Sequence, residues 1–176
     1  MAKLRELAPE PSADQFQLLA QAIDPNAEVV STRQLNGGIS CRMDVLEIRI
    51  TGNKPGETSH VVVRQYGPWH EKDDPHPADI EASVLDLLGK NTVAAPSLVL
   101  DQQATKIMDN RTIVTSFIDG RPKLIANDLA DWSGQLVAAV SNVHGISLTP
   151  KIKKLVPSLY TGFERLLATV HVRLKT

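Results

Sequence analysis

Cysteine is nearly absent from this 176-residue chain: Cys41 is the only one, so no internal disulfide can form and packing must hold the fold together. Aromatic residues are scarce, at 4% of the sequence. No apolar run approaches the length of a helical membrane span. The first residues, Met1-Ala2-Lys3-Leu4-Arg5-Glu6, carry charge where a secretory signal needs an apolar stretch. Negative charge is missing from the last quarter. Residues 132–176 hold six Lys or Arg but a single carboxylate, Glu164, and no aspartate follows Asp131. That tail is +5, which leaves −6 for residues 1–131 within a net charge of −1. Cations spread this thinly describe a solvated helix face rather than a nucleic-acid or membrane patch. With 42% hydrophobic and 22% charged residues, the totals suit a globular protein with one substantial core, or one small domain plus an appended piece. The lone cysteine, the charged start and the lack of an apolar span lead to the expectation of a cytoplasmic protein.

What is present divides by hydrophobic period. Ser12 can cap a helix on which Phe16, Leu19, Ala20 and Ile23 recur at helical spacing, ended by Asp24-Pro25-Asn26. Residues 28–35, 42–50 and 60–66 read as three strands of an antiparallel meander; in the second, Leu46, Ile48 and Ile50 alternate with Val45, Glu47 and Arg49. A turn at Thr51–Gly56 and a polar loop at residues 67–77 join the pieces. Pro77 suits the first turn of a helix running to about Leu88, with Ile80, Val84, Leu87 and Leu88 on one face and Gly89 at its end. Residues 97–101 and 112–118 read as two more strands, and Asp119-Gly120-Arg121-Pro122 as a linker. Beyond it, Leu129, Trp132, Leu136, Val140 and Val143 define one amphipathic helix, and Leu159, Phe163, Leu166, Val170 and Leu174 another. The expected class is α+β: a five-stranded antiparallel sheet with one flanking helix, followed by helices whose apolar faces need a partner. The expected units are an N-terminal helix (1–26), a sheet-bearing lobe (27–119) and a helical part (120–176).

Three positions in the sheet-bearing part can carry chemistry. Gly37-Gly38 between two strands allows a phosphate to meet main-chain N–H groups directly; an Asn-Gly hairpin turn explains the same residues. Arg64 lies in a strand of valines on the face shared with Val62 and Tyr66, where a cation is costly unless matched. It reads either as a phosphate ligand paired with Glu81 or as half of a structural salt bridge. Glu81 precedes Val84 by about one turn and projects from the edge of the apolar face; alone, it reads as an ordinary solvated glutamate. Elsewhere, His70, Asp73, Asp74 and His76 crowd one loop, which reads as polar and flexible rather than as a metal site. Cys41 reads as a small buried filler, His144 as a cation at a helix C-terminus, and Trp132 and Phe163 as core or interlobe packing.

Taken together, these residues resemble the aminoglycoside phosphotransferase-like family, the small-molecule branch of the protein-kinase-like fold. Gly37, Gly38 and Ser40 match its Gly-Gly-x-Ser loop over the ATP phosphates. Arg64 matches its strand cation, Val62 the apolar residue that roofs adenine, and Glu81 the helix glutamate that orients the cation. Ala95-Pro96-Ser97 resembles the proline-containing start of the next strand. Val114-Thr115-Ser116-Phe117-Ile118-Asp119-Gly120-Arg121-Pro122 looks like the hinge, with the backbone of Ser116, Phe117 and Ile118 at adenine. Residues 136–146, with Val143-His144-Gly145-Ile146, look like the first helix of the large lobe.

The resemblance covers roughly residues 27–148 and implies an ATP-binding lobe, with Mg²⁺ as the family's metal and a small-molecule hydroxyl as its phosphoryl acceptor. Three departures qualify it. Cys41 stands where the family often has Asn after the loop serine. Arg64 replaces the lysine of typical protein kinases and holds its charge at any accessible pH. The family's His-Gly-Asp loop and second acidic motif have no counterpart: His144 precedes Gly145-Ile146-Ser147, and His171 precedes Val172-Arg173. The catalytic Asp and the metal-binding Asp are therefore absent, no catalytic or metal residue is named, and a truncated large lobe is expected, since Lys175-Thr176 falls inside a helical pattern. The resemblance thus implies the ATP-binding part of a phosphotransferase that is catalytically incomplete. A non-catalytic nucleotide-binding or protein-interaction module, self-associating through its exposed helices, is the alternative.

Overall fold

Side-chain alternation decides which residues meet which helix. The computed structural model describes residues 6–36, 40–51, 57–71, 76–120 and 128–155. Among them run α1 (Ala13–Ile23), β1 (Ala27–Gln34), β2 (Cys41–Ile50), β3 (Ser59–Tyr66), α2 (Pro77–Lys90), β4 (Leu98–Leu100), α3 (Gln102–Met108), β5 (Thr112–Ser116), α4 (Leu129–His144) and α5 (Pro150–Leu155). A single 3-10 turn, Pro68–His70, follows β3. The five strands form one antiparallel sheet in the order β1-β2-β3-β5-β4, so β5 inserts between β3 and β4.

On one face of the sheet, Leu46, Ile48, Val61, Val63 and Val114 pack with Phe16, Leu19 and Ala20 of α1 and with Ala104 and Met108 of α3. On the other, Cys41, Tyr66 and Ile113 pack with Ala78, Ala82 and Leu85 of α2. Successive residues of β3 therefore serve opposite layers, as a two-residue period requires. The sequence assigned the sheet one flanking helix; the structure covers both of its faces. α1, read as a separate N-terminal element, is part of the sheet's core, and its capping box fixes where it starts. Ser12 Oγ accepts from Gln15 N–H at 3.2 Å, and Gln15 Oε1 accepts from Ser12 N–H at 3.0 Å. α3 was not anticipated, because seven residues give too few turns for a period to register.

The packed face of α2 also differs from the hydrophobic periodicity. Ile80, Val84 and Leu88 are only half-buried, while Ala78, Ala82 and Leu85 face the sheet. Alanines let the helix approach closely, and hydrophobicity alone does not signal that. Glu81 falls within this inward stripe, three residues after Ala78 and next to Ala82, rather than at its edge. The expected loop at residues 67–77 holds two buried histidines, His70 and His76, and His76 Nδ1 caps α2 by accepting from Ala78 N–H at 3.1 Å. α4 forms where expected, but Trp132 is exposed and no α4 side chain is buried. The helix read at residues 159–174, Phe163 included, lies outside the described residues, as do Asp73 and Asp74. Among the described residues no helix is long and apolar enough to cross a membrane.

Leu46 is fully buried at the centre of the α1-facing core. Leu46→Ala is expected to cost about 3 kcal/mol of unfolding free energy, read from urea denaturation. A loss under about 1 kcal/mol contradicts that placement.

Candidate functional site

β3 and α2 bring one cation and one carboxylate together across the second face of the sheet. Arg64 shares its face of β3 with His60, Val62 and Tyr66, and its Cα partners are Met43 on β2 and Ile113 on β5. α2 runs over this face, held by Ala78, Ala82 and Leu85, and presents Glu81 to the strand. Arg64 Nη1 donates to Glu81 Oε2 at 3.1 Å. The same carboxylate oxygen accepts from the Tyr66 hydroxyl, which lies two residues further along β3 on the same face. The two side chains of the ion pair are 33% and 30% exposed. At that exposure solvent screens the pair, and its contribution to stability is about 0–1 kcal/mol.

A second ion pair shows the contrast. Arg42 Nε and Nη2 donate to Asp44 Oδ2 and Oδ1 at 2.9 and 3.0 Å, with side chains only 11% and 4% exposed. This bidentate pair is enclosed on the opposite face and serves packing. Arg64, with one nitrogen on Glu81 and a third of its side chain open, retains donors for an external anion.

Two neutral acids surround the pair. Burial, then the hydrogen bond to Glu81 and its charge, push the Tyr66 phenol far above its ordinary range, with Arg64 opposing. Tyr66 is thus a donor at any working pH. Burial also raises the Cys41 thiol, while Arg64 and a hydrogen bond with the Ser40 side chain pull it down. Cys41 is Tyr66's Cα partner across β2 and β3 and is buried, so it is a poor nucleophile, as the sequence suggested.

Val62 is buried, one step along the same face from Arg64, opposite Thr115. Ser40 is half-buried just before β2; Gly37 and Gly38 lie outside the described residues. At the end of β5, Ser116 N–H donates to Ser97 O at 2.8 Å and Phe117 N–H to His60 O at 3.3 Å, so both amides serve the protein's own backbone. Ile118 lies past these bonds and is 60% exposed. Alternation puts Tyr66 on Arg64's face, but nothing in the sequence signals its contact with Glu81, since a tyrosine within a buried strand reads first as core.

A cleft of about 430 Å³ lies between α2, α3 and α5 and does not include Arg64 or Glu81. It suits a polyanion poorly: Asp79, Asp86 and Asp101 line it, and Arg111 Nη1 is committed to both Asp79 oxygens at 3.3 and 3.2 Å. Among the described residues no group of His, Cys, Asp and Glu is placed to hold a metal ion. No protein-family model, curated protein or solved structure matches the chain.

Tyr66 and Cys41 both bind their protons more tightly folded than unfolded. Their contribution is full below the ordinary thiol range and is lost as pH rises past it, from about pH 8.5 upward. The urea midpoint is expected to fall between about pH 8 and pH 10, and Cys41→Ala to soften the first part of that fall. A midpoint that climbs over this range contradicts the assignment.

Proposed function

We propose that this chain is the nucleotide-holding part of a small-molecule phosphotransferase of the aminoglycoside phosphotransferase-like class, a kinase-like small lobe followed by the start of a helical lobe. The observation that carries the reading is the Arg64–Glu81 pair, 3.1 Å apart and a third open. A pair of this exposure adds little to stability, and its geometry suits orienting a guanidinium toward phosphate oxygens. The strand order β1-β2-β3-β5-β4, with α2 between β3 and β4 in sequence, supports it. In this reading Arg64 contacts the ATP phosphates, Glu81 orients it, and Gly37, Gly38 and Ser40 close over them. Val62 roofs adenine. Of the hinge residues Ser116, Phe117 and Ile118, the first two have their amides engaged, so Ile118 is the best placed to meet the base.

The reaction of this class moves the γ-phosphoryl group of ATP to a small-molecule hydroxyl. The described residues do not fit the Mg²⁺ that accompanies it, and no step is assigned through that ion. With no aspartate after Asp131 to serve as base, this chain is read as holding nucleotide without transferring phosphate. A cytoplasmic setting, where a lone thiol stays reduced, accords with the reading.

ATP at a hundredfold excess over its Kd is expected to raise the melting temperature by about 5–10 °C. Arg64→Ala is expected to weaken ATP binding by about tenfold or more, measured by calorimetric titration. No phosphate should reach an added alcohol. Unchanged affinity in Arg64→Ala, or robust phosphorylation of the alcohol, contradicts the proposal.

One observation favours a second reading, a non-catalytic interaction module. α4 exposes Leu129, Trp132, Leu136, Val140 and Val143 along one side. If that stripe joins two copies, sedimentation velocity is expected to show concentration-dependent association that Leu136→Glu abolishes. A monomer at all concentrations removes the self-association form of this reading.

A further inference from the structure

We infer that Tyr66 is a positioning residue for the anion grip: its hydroxyl fixes the Glu81 carboxylate so that Arg64 is held aimed at phosphate while keeping charge to offer. This rests on the nucleotide-holding reading and names the residue that organises that site.

Three features of the geometry support it. First, Tyr66 O–H and Arg64 Nη1 both donate to Glu81 Oε2, so the two β3 residues converge on one atom of α2. A carboxylate gripped by a flexible guanidinium alone could swing with it. A phenol leaves it fewer orientations. Second, the ring cannot move. Tyr66 is 5% exposed and packs in the cluster of Cys41, Ala78, Ala82, Leu85 and Ile113. Its ring stands edge-on to His70 and His76, with centroids 5.3 and 5.6 Å away and interplanar angles of 75°. Third, the hydroxyl is a donor in every relevant state, because burial and the neighbouring carboxylate keep its proton on.

The electrostatic consequence follows from sharing. A carboxylate oxygen that also accepts from a phenol directs less of its charge at the guanidinium. An arginine cannot lower its own charge by losing a proton, so its availability to a phosphate depends on how strongly its partner neutralises it. Tyr66 moderates that neutralisation and also sets the direction of Arg64.

The test uses the full chain and ATP as probe, with calorimetric titration of wild type, Tyr66→Phe, Glu81→Gln, Arg64→Ala and the Tyr66→Phe/Glu81→Gln double variant. Tyr66→Phe keeps the ring and loses only the hydroxyl. It is expected to weaken ATP binding about tenfold. The double variant is expected to bind no more weakly than Glu81→Gln, since both changes break one arrangement. Fully additive losses would mean that Tyr66 acts outside the Glu81 contact and overturn the inference. Proton NMR supplies an independent signature: a slowly exchanging Tyr66 hydroxyl resonance is expected in wild type and is expected to disappear or shift in Glu81→Gln, where Tyr66 is intact. Wild-type affinity in Tyr66→Phe, together with lost binding in Arg64→Ala, overturns the inference and leaves the Arg64 site standing. Wild type that binds no ATP overturns both. Should Tyr66→Phe fail to fold, a hydroxyl resonance unmoved by Glu81→Gln overturns the inference alone.

Discussion

A guanidinium placed in the middle of a valine-rich strand constrains everything around it. Arg64 cannot stand against a helix without a matching charge, because an unmatched cation there loses hydration that nothing replaces. Glu81 supplies the match at 3.1 Å from an α2 that Ala78, Ala82 and Leu85 hold against the sheet. The small side chains of Ala78 and Ala82 permit the approach, Leu85 and Ile113 fill the space beside it, and Tyr66 completes the contact from the strand side. The apolar packing of α2 on the sheet thus brings the carboxylate to the cation.

The two ion pairs of the sheet differ in how far they are enclosed. Arg42 and Asp44 are enclosed and bidentate, and removing one partner would strand a buried charge at a cost of about 3–5 kcal/mol. Arg64 and Glu81 are joined through one nitrogen and remain a third open. Screening makes their mutual attraction worth little to folding. A cation held in place but incompletely satisfied is what an anion site needs. The largely enclosed Arg42 pair lacks that quality.

Much of the sheet was legible from the sequence, because alternation in β2 and the valines of β3 are strong signals that do not depend on distant residues. The Arg64–Glu81 meeting was legible too, since a cation on such a strand calls for a carboxylate. What hydrophobicity misread was α2. Of the expected face only Leu87 is buried; Ile80, Val84 and Leu88 outweigh Ala78 and Ala82 on any apolar scale, yet the sheet takes the alanines with Leu85, because close approach as well as apolar area decides that contact. α3 was too short to show a period. The buried state of His70 and His76 was hidden, because a polar, proline-bearing stretch reads as loop whether or not its rings fold inward. The part of Tyr66 in the site was hidden for the converse reason: a tyrosine in a strand announces packing and says nothing about where its hydroxyl ends.

In the proposed reading the β3 cation, steadied by the α2 carboxylate, receives phosphate. Nitrogen-15 NMR of the arginine side chains during an ATP titration tests it most directly. The Nε–H resonance of Arg64 is predicted to shift progressively and to saturate with the same affinity as the calorimetric binding, while that of the enclosed Arg42 stays in place. An Arg64 resonance that remains still while ATP binds, or that moves no more than Arg42, contradicts the claim.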